Sequence, residues 1–412
     1  MKVRTFIRAT PPSCGGGAPL PKCLPVDPGC PEPSGYVRHF TINADTYNLP
    51  KVQERILNHS FLNLTHNFTM SKSNTLEFKT LGFIGLGAMG KPMLTHLANK
   101  LPAESQIYVF DVVEAAVDEI VSQFPNRVFK ASSAKNVAEQ AVRTSNPTIK
   151  ELDLKLNVIQ ETIISIVPEG SHVRSVYLDP KTGICSTDIS NKLLIDCSTI
   201  DTATSLLVKN HIAQNFPTAS FYDSPVSGGV VGAVKGTIAF FLGCAEEDQN
   251  LKRLEYLASL MGKQIIPCGG PSLGLAAKLS NNYLSGIIAI ACSEAMDMGM
   301  RSGLDPRTLA KVYAAGTAQN TICDKFCPVP GVYAEAPSTG GYKEGFKVQL
   351  MRKDFGLAVD MAKRVGSKNV LGEAGLETYD GASKDPSCRD LDSRVVYRYL
   401  GGDEEWLEKL RG

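Results

Sequence analysis

"LGFIGLGAMGKPM", residues 81–93, is the stretch on which the fold turns. A short apolar run is broken by Gly85, Gly87 and Gly90, and a helical pattern starts at Lys91-Pro92. The run reads as a buried strand and "KPMLTHLANKL" as a helix. Glycines at such a joint have separate uses. Gly85 permits a tight turn, Gly87 lets the backbone come close to a ligand, and Gly90 lets the helix pack on the strand. A second strand, "QIYVFD", ends on Asp111, 21 residues after Gly90. Strand, glycine loop, helix, strand and acid in that order form a dinucleotide fingerprint. The first helical turn offers N–H groups and a positive dipole end to a pyrophosphate, and the acid accepts hydrogen bonds from ribose hydroxyls. The expected cofactor contacts here are Gly85, Leu86, Gly87, Ala88, Met89, Gly90 and Asp111. Asp111 repels a 2′-phosphate, and Val112, Val113 and Glu114 after it supply no arginine, which favours NAD over NADP. FAD fits the same loop, so later motifs must decide.

Outward from this unit the pattern continues. "AAVDEIVSQF" and "AKNVAEQAV" read as helices, and "NRVFKAS", "ETIISIV" and "NKLLIDCST" as strands. Strands alternating with helices imply a parallel sheet covered on both faces. The stretch from Val142 to Gln160 is polar and reads as a surface insertion. With 412 residues the chain has room for two domains. Its 43 basic and 42 acidic side chains leave a net charge of +1, which gives no drive toward nucleic acid or membrane lipid and points to a small-molecule partner. "GTIAFFLG" and "SGIIAIAC" are too short to span a membrane. The 11 cysteines include no CxxC pair, and Cys323 and Cys327 have no His or Cys nearby in sequence to complete a metal site. They read as reduced, buried thiols.

Residues 1–79 differ from the rest: rich in proline and glycine, without apolar periodicity, they read as an extension. Lys2, Arg4, Arg8 and Lys22 precede the first acid, Asp27, which leans toward a mitochondrial import segment. Met70 offers an alternative start that would leave a cytoplasmic protein. Asn58, Asn63 and Asn67 open Asn-X-Ser/Thr triplets, but no hydrophobic secretory segment precedes them.

Three further stretches stand out. "DSPVSGGVVGAVKGT", 223–237, sets Ser227-Gly228-Gly229 after an apolar start; this is either a plain glycine turn or a nest for a small carboxylate. "GLAAKLSNNYLSGIIAIACSEAMDMGMRSG", 274–303, is a long apolar helix in which Lys278 and Asn282 share a face. Its lysine either snorkels out of a core helix or sits in an apolar pocket with a lowered pKa. "FKVQLMRKDFGLAVDMA", 346–362, holds Lys353 and Asp354 in a helical pattern. Neighbours in a helix do not share a face, so the two are expected to part, with a solvated charge pair as the plainer reading.

In order, "GFIGLGAMGKPM", "DCSTID", "DSPVSGGVVGAVKGT", "GLAAKLSNN" and "LMRKDFGLA" resemble the successive motifs of the β-hydroxyacid dehydrogenase family. "CPVPGVYAEAPSTGGYKEGF", 327–346, is similar to its 3-hydroxyisobutyrate dehydrogenase branch. The resemblance covers about residues 80–365, and more loosely "DSRVVYRYL". It implies an α/β Rossmann domain with a doubly wound parallel sheet, then a long interdomain helix and an all-α C-terminal domain. The expected divisions are 1–79 (extension), 80–268 (NAD-binding) and 269–412 (substrate binding and oligomerisation). Lys278 would be the acid–base group and Asn282 would hold the reacting oxygen. Ser198, Ser227, Gly228 and Gly229 would bind the substrate carboxylate. Val167, Pro168 and Thr199 would line the nicotinamide side, and Lys353 would close the cleft. Lys278 does the proton work, so no metal is expected, and family members pair into dimers or tetramers. His172 departs from the branch's usual Asn, and Val167-Pro168 replaces its Leu-Pro. Asn281 stands where 6-phosphogluconate dehydrogenases carry a His. The implied reaction is NAD-dependent oxidation of 3-hydroxyisobutyrate to methylmalonate semialdehyde in valine catabolism. Tartronate and succinic semialdehyde reductases share the same motifs. A non-catalytic dinucleotide reader would be expected to lack Lys278.

Overall fold

Strand β1 (Thr80–Ile84) is buried along almost its whole length and lies at the middle of the sheet. The computed structural model describes residues 79–141 and 161–409, all within one compact unit, Lys72–Gly412. The import segment, the alternative start, the glycosylation triplets and the 142–160 insertion lie outside the described residues.

After β1 come α1 (Gly90–Lys100), β2 (Gln106–Phe110), α2 (Glu114–Gln123), β3 (Val128–Lys130) and α3 (Ala134–Gln140). The chain then returns through β4 (Thr162–Ser165), α4 (Gly170–Leu178), β5 (Leu193–Asp196), α5 (Thr202–Asn215) and β6 (Ser220–Asp223). The six strands pair in parallel in the order β3-β2-β1-β4-β5-β6. This is the doubly wound order, whose switch point lies between β1 and β4. Alternation along β1 feeds two cores. Leu81 and Phe83 join Met93, Leu94 and Ile107 on one face. Ile84 joins Val137, Ile163 and Tyr177 on the other. Each such side chain contributes about 1.5–3 kcal/mol by burial. The five parallel pairings and their covering helices make this a Rossmann domain.

A second, three-stranded sheet follows, which the sequence reading did not foresee. It comprises β7 (Val226–Ser227), β8 (Ile238–Leu242) and β9 (Gly262–Pro267), with α6 (Gly229–Lys235) and α7 (Leu251–Met261) between them. "GTIAFFLG", weighed only as a membrane stretch, supplies its central strand. β7 is too short to carry a pattern of its own.

Helix α8 (Leu273–Arg301) leaves this half as one run of 29 residues, about 44 Å long. Its start is anchored by Asp223 at the end of β6. The two carboxylate oxygens accept from Ser272 N at 2.7 Å and Leu275 N at 2.9 Å, which satisfies donors that a helix start leaves open. Beyond it the structure is helical: α9 (Pro306–Ala315), α10 (Thr321–Lys325), α11 (Val348–Arg364), α12 (Gly372–Lys384), α13 (Val396–Tyr399) and α14 (Trp406–Lys409). Phe355, Tyr379 and Tyr342 centre one helical core, and Met296, Tyr397 and Trp406 another. No described helix is long and apolar enough to cross a membrane.

Candidate active site

The glycine loop sits at the switch point, and each glycine is needed for a different reason. Gly85 has φ +97°, and a Cβ there would lie 2.0 Å from Ile166 O. A Cβ on Gly90 would lie 1.9 Å from Gly85 O, so helix and turn touch backbone to backbone. A Cβ on Gly87 would meet nothing within 4 Å, because that residue faces open space. A turn that merely packs would crowd all three. An open middle glycine beside a helix start fits a pyrophosphate drawn against the backbone. Asp111, just beyond β2, accepts from Leu86 N at 2.6 Å and from Val113 N at 2.7 Å. It therefore fixes the loop it was expected to serve, while its remaining lone pairs can still accept from ribose hydroxyls.

Next to the loop, Val167 and Pro168 follow β4, and Thr199 follows β5. Ser198 lies between them and is only 1 % exposed. Its hydroxyl donates to Asp196 Oδ1 at 2.6 Å and accepts from Val167 N at 2.9 Å. The hydroxyl expected to meet a substrate carboxylate thus has its one donor turned inward in this structure. Ser198 pins the strand end that carries Val167 and Pro168. Asp196 also accepts from Ser165 Oγ at 2.8 Å, and that hydroxyl lies 2.9 Å from Tyr177 OH. Burial pushes the Asp196 carboxyl up to about 6 against the pull of these hydrogen bonds. Nothing in the sequence marked Asp196 as the hub of this network.

Ser227 and Gly228 enter α6, with Gly228 at φ +133° and Gly229 at +62°. A Cβ on Gly229 would meet nothing within 4 Å, so this backbone too faces open space. His96 on α1 holds the far end of α6 in place, with Nε2 3.0 Å from Ala233 O and 3.0 Å from Val234 O. His172 lies exposed on α4.

Lys278 occupies the second turn of α8 and is 7 % exposed. Among the described residues its ammonium has neither a hydrogen bond nor an ion pair. Burial lowers its pKa, the Asp354 carboxylate opposes that shift, and the Lys353 ammonium adds to it. Asn282, one turn on, donates to Asp354 Oδ2 at 2.6 Å and accepts from Asn281 at 3.1 Å. Lys353 Nζ donates to Thr199 O at 2.7 Å and Pro168 O at 3.0 Å. The expectation that Lys353 and Asp354 would part company is corrected: Nζ lies 3.1 Å from Asp354 Oδ1. That contact is an ion pair but lacks hydrogen-bond geometry, so among the described residues Oδ1 has no hydrogen-bond donor. Asp354 is 3 % exposed and is the residue the sequence reading undervalued. It connects the lysine that spans the cleft to the helix of Lys278.

Residues 80–270 match the family model described as the NAD binding domain of 6-phosphogluconate dehydrogenase. Residues 273–400 match the one described as NAD-binding of NADP-dependent 3-hydroxyisobutyrate dehydrogenase. A probable mitochondrial 3-hydroxyisobutyrate dehydrogenase of Dictyostelium discoideum is 36% identical over 328 residues, 79% of this chain and 92% of the relative. An NAD-dependent L-serine dehydrogenase of Pseudomonas aeruginosa is 34% identical over 301 residues, 73% of this chain and 91% of the relative. Among solved structures, Mycobacterium tuberculosis 3-hydroxyisobutyrate dehydrogenase with L-serine aligns with TM-score 0.66 and 30% identity, covering 78% of this chain and 99% of that one. Together with the NAD-type cofactor site, these likenesses show that the chain belongs to the β-hydroxyacid dehydrogenase family.

Proposed function

We propose that this chain oxidises 3-hydroxyisobutyrate to methylmalonate semialdehyde, as a step of valine breakdown, with Lys278 as the base. The observation that carries the reading is the buried ammonium of Lys278, unpaired among the described residues, whose pKa burial lowers. A lysine in that state can be neutral near physiological pH and take up a proton at Nζ. When bound, the dinucleotide supplies the hydride acceptor. Lys278 Nζ takes the hydroxyl proton of the substrate and returns it in the reverse direction. Asn282, oriented by Asp354, holds the same oxygen. Backbone N–H groups of Gly228 and Gly229, with Ser227, receive the carboxylate, and the open space at Gly229 leaves room for it. Gly85 to Gly90 and Asp111 bind the dinucleotide, with Asp111 selecting NAD. Val167, Pro168 and Thr199 line the nicotinamide side, and Lys353 holds the two halves of the cleft together through Pro168 O and Thr199 O.

On this reading the NAD-binding part spans 80–268 and the substrate and oligomerisation part spans 269–412, pairing as a dimer or tetramer. The basic start of the chain and the mitochondrial relative support a mitochondrial site of action. L-serine is the second substrate to weigh, because one relative and one structural neighbour carry it in their names. It has the same carboxylate and β-hydroxyl spacing.

The test is NAD reduction across 3-hydroxyisobutyrate, L-serine, glycerate and 4-hydroxybutyrate, with wild type beside Lys278→Ala. Turnover of 3-hydroxyisobutyrate that falls about 10²–10⁴-fold in the variant, while NADH still binds, is the expected result. Preference for L-serine keeps Lys278 in its role and moves the substrate. Full activity in Lys278→Ala overturns the mechanism.

A further inference from the structure

The cleft uses none of the thiols, yet three of them meet behind α8. Cys292 lies on α8, Cys323 on α10, and Cys327 just after it, at 4 %, 6 % and 1 % exposure. Cys292 and Cys323 sulfurs are 3.4 Å apart. Asn320 faces the same sulfur, with Nδ2 3.0 Å from Cys323 Sγ. Its amide cannot turn round freely. Oδ1 accepts from Ile322 N at 2.9 Å and Cys323 N at 3.0 Å, while Nδ2 also donates to Ala318 O at 2.8 Å. Cys323 Sγ is therefore a sulfur with an amide donor aimed at it and a second thiol in contact. Among the described residues no group of three or more His, Cys, Asp or Glu side chains is arranged to hold a metal ion. A soft-metal site does not account for the cluster.

We propose that Cys323 and Cys292 form a peroxide-sensitive oxidation site that closes to a disulfide between α10 and α8. The Asn320 donor and a neighbouring thiol able to give up its own proton to the contact favour the Cys323 thiolate, and the thiolate is the form that reacts with peroxide. The hydrogen bond from Cys292 and the one from Asn320 lower the Cys323 pKa against its burial. The same sharing raises Cys292, which keeps the proton. Cys327 is also lowered by Cys292 but lacks the Asn320 donor and is more deeply enclosed. Cys323 is thus the sulfur that reacts first.

The chemistry balances with hydrogen peroxide as oxidant. The Cys323 thiolate attacks one peroxide oxygen and the O–O bond breaks. The departing hydroxide takes up the thiol's released proton as water, leaving a sulfenic acid. Cys292 sulfur then attacks Cys323 sulfur, the S–O bond breaks, and a second water leaves with the Cys292 proton. Two thiols are oxidised by two electrons and one peroxide is reduced to two waters. A disulfide spans about 2.05 Å, so the sulfurs must approach by about 1.4 Å. The five-residue α10, preceded by the exposed stretch Gly316–Gln319, can take up that shift. Cys292 lies ten residues beyond Asn282, about 15 Å along α8, so the bond closes without entering the cleft.

The experiment treats the full chain with about tenfold hydrogen peroxide, alkylates the remaining thiols and maps tryptic peptides by mass. Cleavage after Lys325 separates Cys323 from Cys327, which makes the assignment unambiguous. The expected product is a linked Cys292–Cys323 peptide, about 2 Da lighter than the two thiols and released by dithiothreitol. It persists in Cys327→Ser and disappears in Cys323→Ser. A Cys323 that stops at sulfinic acid, a bridge to Cys327 instead, or both cysteines recovered alkylated overturns the proposal. The wild-type map decides this even if a variant fails to fold.

Discussion

Replacing Gly85 and Gly87 in turn by alanine should separate folding from cofactor binding. At Gly85 the left-handed φ of +97° costs a non-glycine residue about 1–2 kcal/mol. The added methyl would also lie 2.0 Å from Ile166 O, forcing β1 and the end of β4 apart at an overpacking cost of about 1–3 kcal/mol. Gly85→Ala should therefore lose about 2–5 kcal/mol of stability. At Gly87 the methyl meets no heavy atom within 4 Å, and the backbone is outside the left-handed region. Alanine there should leave stability unchanged or raise it by about 0.4–1 kcal/mol through the unfolded chain. Its effect should fall on the dinucleotide. Holding a phosphate about 1 Å further away breaks one charge-assisted hydrogen bond of about 1.5–3 kcal/mol, a ten- to hundredfold weaker Kd. Urea denaturation followed by circular dichroism reads the first effect, and NADH fluorescence titration reads the second. If Gly87→Ala binds NADH as tightly as wild type, or unfolds as easily as Gly85→Ala, the assignment of the loop is wrong.

Asp354→Asn keeps the size of the side chain and removes the charge that raises Lys278. The neutral amine is the base in oxidation, so the acid limb of kcat/KM should move to lower pH, while a misplaced Asn282 lowers kcat about tenfold or more. A pH profile whose acid limb stays in place removes Asp354 from this role. Asp223→Asn turns an amide NH₂ toward one of the two α8 N–H groups that the carboxylate now accepts. It should cost about 1–3 kcal/mol in urea titration and reduce kcat through the displaced helix, with NADH affinity retained. Weaker NADH binding as the main effect would place the damage in the Rossmann half.

What was legible in the sequence was local. The glycine loop, its strand and its helix carry their signal within about a dozen residues; the structure gives Gly85 its tight turn and Gly90 its close packing, and leaves Gly87 facing open space. The long helix was bounded to within two residues because its apolar pattern runs unbroken from Leu273 to Arg301. The three-stranded sheet failed the same approach: β7 is two residues long and stands as a strand only because β8 lies beside it.

The site's connections were hidden because the fold makes them over long sequence separations. Ser198 in "DCSTID" looks free to bind a carboxylate until burial places Asp196 beneath it and Val167 N above it. Cys323 and Cys327 looked isolated because Cys292, 31 residues upstream of Cys323, comes near only when α10 packs on α8. Lys353 and Asp354 pose a subtler problem. Adjacent residues do point away from each other at Cβ. But a lysine carries its charge four methylenes out, so Nζ can reach the Rossmann carbonyls and still return to within 3.1 Å of its neighbour's carboxylate. Helical geometry constrains the stem, and the partners across the cleft place the charge. The same side chain therefore ties Pro168 and Thr199 to Asp354, and Asp354 ties them to Asn282 on the helix of Lys278. Spacing along α11 alone cannot give that path, since its other ends lie in the loops after β4 and β5 and on α8.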